Sequence, residues 1–174
     1  VNVGSGVTGL SFASNGIFLA GAKLVVSKFS GLYLDGGTSP VVQSAVASVS
    51  NPLITLSPVS NGYSVLQCGG QVLDVAAATN AGAPLQVAAY TGGDGQLWRL
   101  LPVGTTNVLL VNKLSGLAAN VSSLASGTTV IQSVIDTNAS SQQWSLSSVA
   151  ANQAIWDGGG ANNANTDLHR TDYF

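Results

Sequence analysis

The chain has 174 residues, enough for one well-buried domain and short for two. Five Lys and Arg stand against seven Asp with no Glu, and the net charge of −2 comes with only 7% charged and 45% hydrophobic residues. The cations are scattered singly, so there is no phosphate-binding stripe, and neither nucleic acid nor an anionic membrane surface is an expected partner.

From Val1 to Ala22 the chain is uncharged, but Asn2, Ser5, Thr8, Ser11, Ser14, Asn15 and several glycines break it up too often for a membrane span, and it has no basic leader region. It is expected to be an N-terminal extension (1–22) of a mature, secreted chain. Beyond it, "KLVVS", "SPVVQSAV", "PLITL", "YSVLQ", "VLDVA", "PLQVAAY", "NVLLVN" and "TTVIQSVI" follow one another as short Val, Ile and Leu runs between Gly, Ser, Asn and Pro. Such runs predict strands, and many short strands at close spacing predict an all-β barrel or sandwich. Cys68 is the single cysteine, which rules out an internal disulfide and points to a small buried hydrophobe. The last segment, 149–174, holds "AIWDGGG", "TDYF", Asp157, Asp167, Asp172 and the only histidine, His169, with neither zinc nor calcium spacing among them. No metal or cofactor is expected. Its aromatics, with the apolar "SFASNGIFLAGA" of the N-terminal extension, call for cover, and self-association or a partner domain would supply it.

Three segments, starting at Leu24, Tyr63 and Val108, fall into register. The first and third share "SKFSGL" against "NKLSGL". Twelve positions separate Asp74 from Gln86 and Gln86 from Trp98, and the same two spacings link Asn120, Gln132 and Trp144. The first copy is shorter, eight positions from Asp35 to Gln43, and carries Pro52 and Ile54 where the others have Gln and Trp. A Trp recurring in alternating strands packs into a shared core, so Trp98 and Trp144 are read as structural, with Ile54 filling the same role. Gln96 and Gln142 can either tie the end of a repeat to its Asp strand or touch a ligand.

A threefold repeat of this length, with "LDV", a later Gly, "LQ" or "IQ" and two QxW motifs at Gln96 and Gln142, resembles the ricin B-type lectin family. The resemblance implies a β-trefoil over residues 23–148, with four strands from each repeat, and a non-catalytic lectin whose partners are glycans. In that family a sugar is held by the Asp of the "LDV" strand, an aromatic after the "LQ" strand and an Asn beside the QxW glutamine. Chemically, the carboxylate accepts from sugar hydroxyls and the aromatic face covers the C–H side of the ring. The second repeat supplies Asp74, Tyr90 and Gln96, with Gly95 in the Asn place and Asp94 beside it as a substitute. The first keeps Asp35 and Asn51 without an aromatic; the third has Asn120, Ser141 and no aromatic. The bland alternative is that Asp74 caps a turn and Tyr90 is half buried. Galactose, GalNAc-containing and xylan-like glycans all remain open.

A hydrolase needs two positioned carboxylates, and Asp35 and Asp74 belong to different repeats. Asn120-Val-Ser and Asn138-Ala-Ser fit the glycosylation pattern, as chance allows in a chain this rich in Asn and Ser. The competing functional class is a structural, self-assembling extracellular protein that uses the trefoil as a brick with degenerate sugar sites.

Overall fold

A computed structural model describes residues 12–13, 16–17 and 21–148. The expectations attached to the rest of the N-terminal extension and to 149–174, including Asp157, Asp167, His169 and Asp172, lie outside the described residues. Within the extension, β1 (Phe12–Ala13) and β2 (Gly16–Ile17) form a small antiparallel ladder.

Twelve further strands follow, four to a repeat. The first repeat holds β3 (Gly21–Ser27), β4 (Tyr33–Asp35), β5 (Val42–Ser44) and β6 (Leu53–Pro58). The second holds β7 (Ser64–Cys68), β8 (Gln71–Asp74), β9 (Gln86–Ala88) and β10 (Trp98–Val103). The third holds β11 (Asn107–Asn112), β12 (Ala118–Asn120), β13 (Ile131–Ser133) and β14 (Trp144–Ser148). The eight apolar runs contain eight of these strands. β4, β10, β12 and β14 are short or interleave Arg, Ser and Ala with their apolar residues, which weakens their signal, and they emerge through the repeat.

The outer strands of each repeat close a six-stranded barrel. β3 pairs with β6, β6 with β7, β7 with β10, β10 with β11, β11 with β14, and β14 returns to β3. Closure leaves this ring no open edge. Gly21 and Ala22 pair with Leu56 and Thr55, so the first barrel strand starts two residues before the expected boundary at 23. The inner strands form three hairpins, β4–β5, β8–β9 and β12–β13, that cap one end. At the pseudo-threefold axis Val41 N donates to Leu85 O at 2.8 Å, Leu85 N to Val130 O at 2.9 Å and Val130 N to Val41 O at 2.9 Å. This triangle fixes the three hairpins together, and all three residues are buried.

Trp98 and Trp144 are fully buried in equivalent places, each indole N–H donating to the carbonyl two strands back, Leu73 O at 3.0 Å and Ala119 O at 3.2 Å. Ile54 is buried in the first repeat, filling the core without that bond. Cys68 is buried among them, and burial, with the nearby Asp35 charge, pushes its thiol up to about 12, as an inert core group.

The register differs from expectation at one point. Asp74 faces Gln86 across its hairpin, but Asn120 faces Ile131, and Gln132 faces Ala119. Gln132 therefore corresponds to Val87 and to Gln43, which faces Leu34, and not to Gln86. The third repeat is one residue shorter before its inner strand and one longer after it, so the Asp-to-Trp distance hides the slip. Gln43 and Gln132 are fully buried, and each donates to the long loop of another repeat, Gln43 to Ser123 O and Ala125 O, Gln132 to Ala78 O. The corresponding loop of the first repeat is the short one, and the residue that would have held it is the apolar Val87.

Candidate functional site

Asp74 ends β8 and is half buried. Its Oδ1 accepts from Ala76 N at 2.9 Å, a tight turn in which Ala76 and Ala77 adopt left-handed φ of 51° and 59°. Its Oδ2 accepts from Gln96 Nε2 at 3.1 Å. A carboxylate offers about four lone-pair sites, so two remain for a ligand. Gln96 is only 3% exposed and its amide is fully used. Besides Asp74, Nε2 donates to Ala89 O at 2.8 Å, and Oε1 accepts from Thr91 N at 2.8 Å and from the Thr91 hydroxyl at 3.1 Å. Those bonds bracket Tyr90 and lock its backbone to the carboxylate. Tyr90 is 55% exposed, and its ring lies against Gly92, where a Cβ would sit 3.8 Å from the Tyr90 hydroxyl. Gln96 thus orients the pair from below.

Asp94 opens the 3-10 turn Asp94–Gln96, and its Oδ1 takes an ion pair from Lys113 Nζ at 2.7 Å. Lys113 belongs to the turn between β11 and β12, in the third repeat. The same turn is stapled to the second repeat by Asn112 Nδ2 donating to Gly95 O at 2.8 Å and Lys113 N to Leu97 O at 2.8 Å. Its Leu114 is 41% exposed. A side chain at Gly95 would start 3.1 Å from Asp74 Oδ1, 3.3 Å from Val75 Cγ2 and 3.7 Å from Leu114 Cδ2. Leu114 thus borders the site. It escaped the sequence reading, because "NKLSGL" marks a turn but not which repeat that turn leans on.

In the first repeat, Asp35 is 1% exposed and its carboxylate is consumed. Oδ1 accepts from Gly37 N at 2.9 Å and Asn51 N at 3.0 Å, and Oδ2 from Ser50 N at 2.9 Å and the Ser44 hydroxyl at 3.0 Å. Burial pushes this carboxyl up, but the Ser50, Gly37 and Asn51 amides and Ser44 outweigh it and hold the group below its usual range. Asn51 is half buried against Gly69 of the next repeat. In the third repeat Asn120 is half buried at the end of β12. Gln142 accepts from Asp136 N at 2.9 Å and donates to Val134 O at 2.8 Å. These bonds bracket Ile135, which therefore stands where Tyr90 does. Asp74, Tyr90 and Gln96 are brought together, with Asp94 at their margin tied to Lys113, while Asp35 lies apart with its carboxylate saturated and the Asn51 backbone N–H among its donors.

The sequence matches the model of the ricin-type beta-trefoil lectin domain-like family over residues 55–133. Among curated proteins none matches significantly. Among solved structures, a designed threefold-symmetric protein, ThreeFoil, is 32% identical with a TM-score of 0.68, over 74% of this chain and 98% of that one. An exo-beta-1,3-galactanase from Clostridium thermocellum matches at 24% identity and TM-score 0.69, over 74% of this chain but 30% of the enzyme. A Polyporus squamosus lectin, solved with the epitope Neu5Aca2-6Galb1-4GlcNAc, matches at 23% and TM-score 0.64, over 73% of this chain and 48% of that one. The chain thus spans less than half of the natural relatives just named. The closed barrel, the three capping hairpins and the matched repeats place this chain in the ricin-type β-trefoil lectin family.

Proposed function

We propose that this protein is a carbohydrate-binding module with no catalytic role of its own, working outside the cell, and that it holds a saccharide at the second repeat. The observation that carries this reading is the pairing of a half-open carboxylate, Asp74, with an exposed ring, Tyr90, both fixed by the saturated amide of Gln96. Asp74 accepts from sugar hydroxyls, and Tyr90 covers the apolar face of the ring. Family membership supports the ligand class, and a structural neighbour was solved with a sialylated glycan. Galactose-, GalNAc- and xylan-like chains all present such a face. Asp94, held by Lys113, lines the margin of the site rather than replacing the missing Asn.

Titration calorimetry on the full chain, with ligands chosen from a glycan array, tests the proposal. The wild-type protein is expected to bind at least one glycan, and Asp74→Ala and Tyr90→Ala each to abolish that binding. Full affinity in the double variant would place the ligand elsewhere.

A further inference from the structure

One wall of the proposed site comes from another repeat. With glycine at position 95, the space next to Asp74 is bounded by a carboxylate oxygen on one side and by Leu114 Cδ2 on the other, while Val75, fully buried, lies beneath. The first repeat is built differently. There Asn51 occupies the place of Gly95, and the neighbouring hairpin turn presents Gly69, whose Cβ position is 3.1 Å from Asn51 Nδ2. The two junctions differ in turn length as well as in side chain: Asn51 meets Gly69 of the short β7–β8 turn, whereas Gly95 meets Leu114 of the longer β11–β12 turn. The exchange swaps a hydrogen-bonding wall for an apolar one.

A ligand group that suits the second arrangement carries a donor and a methyl close together. A sugar hydroxyl has the donor alone. An acetamido substituent has both, an N–H for the carboxylate and a methyl group a few bonds away. We propose that Leu114 is a specificity-determining residue that makes this site prefer N-acylated sugars to their hydroxyl counterparts, the acetamido N–H donating to Asp74 Oδ1 and its methyl resting on Leu114 Cδ2. The inference rests on the Asp74–Tyr90 reading above. The Lys113–Asp94 ion pair and the Asn112 bond to Gly95 O keep the turn, and so Leu114, in place.

The test compares the affinities of the full chain for two pairs of methyl glycosides, N-acetylgalactosamine with galactose and N-acetylglucosamine with glucose. One methyl in apolar contact is worth roughly a fourfold gain in affinity. At least one acetylated sugar is therefore expected to bind about fourfold tighter than its partner, and Leu114→Ala, which keeps Cβ, to bring that ratio near one while parent-hexose binding persists. Asp74→Ala is expected to remove both. A ratio unchanged in Leu114→Ala while Asp74→Ala still abolishes binding overturns the role of Leu114 and leaves the site standing. No acetamido preference in either pair, with an Asp74-dependent array hit, overturns the inference in the same way. Binding that survives the Asp74→Ala, Tyr90→Ala double variant, or an array without hits, overturns the site itself.

Discussion

Asp35 and Asp74 end equivalent strands, each accepts from the amide two residues on, and yet one is sealed and the other open. The difference traces to three substitutions. Ser44 in the first repeat supplies a hydroxyl to its carboxylate, where the second has Ala88 in the matching strand position. Gly37 allows Ser50 to approach so closely that a Cβ there would lie 2.5 Å from Ser50 Cβ, whereas the matching residue in the second repeat is Ala76. Pro52 stands where Gln96 reaches up to Asp74. The segment between inner and outer strands, 45–52, folds down on Asp35 and gives it two amides; its counterpart 89–97 stands off and presents Tyr90. A binding motif is thus recruited to structure when its surroundings supply enough donors, and freed for a ligand when they do not.

Below the two sites the barrel wall has no such asymmetry, so core substitutions should cost stability whichever repeat carries them. Trp98→Ala and Trp144→Ala are each expected to lose about 3–5 kcal/mol by denaturant unfolding, and Ile54→Ala about 2–5 kcal/mol. A loss below about 1 kcal/mol for either tryptophan would break the equivalence of the repeats.

The contrast sharpens at the carboxylates. Asp35→Ala strands three backbone donors in a buried place and should cost about 3 kcal/mol of stability or more, with glycan affinity intact. Gly37→Ala forces Ser50 away and should cost about 1–3 kcal/mol. If Asp35→Ala removed sugar binding without affecting the unfolding midpoint, the assignment of roles to the two aspartates would be reversed.

Asp74→Ala and Tyr90→Ala should behave in the opposite way. Each is expected to weaken glycan binding by about 1–3 kcal/mol, enough to erase a weak single-site affinity, and to change stability by about 1 kcal/mol or less. Asn120→Ala should leave binding nearly unchanged, since Ile135 rather than an aromatic ring stands over the third repeat.

Much of the fold was legible because its strongest constraint is periodic. Trp98 and Trp144 must enter one core from equivalent strands, and that requirement leaves a spacing in the chain. The Gln86–Gln132 match was misleading, since a residue lost from one loop and gained in the next cancels in any count that starts at Asp and ends at Trp. Asp74, Tyr90 and Gln96 were legible as residue types at family positions. The sealing of Asp35 was not, because it depends on how closely Ser50 approaches Gly37, and neither was Leu114, whose neighbour at Gly95 lies in a different repeat.

The smallest effect at ordinary pH is also the most specific to Asp35. Its amide and hydroxyl donors hold its folded-state carboxyl below the unfolded value, despite the opposing effect of burial. A carboxyl depressed on folding adds stability that is fully present above the unfolded value of about 3.9 and disappears as pH falls through the lower folded value. Thermal midpoints are therefore expected to carry this group's full, pH-independent contribution between about pH 5 and 8 and to fall below about pH 4. Asp35→Asn keeps the shape but cannot carry the charge, so it should be less stable than wild type at neutral pH, with the gap narrowing as acid protonates the wild-type carboxyl. A gap that stays constant from neutral pH to well below pH 4 would show that the four donors hold shape alone and place no demand on charge.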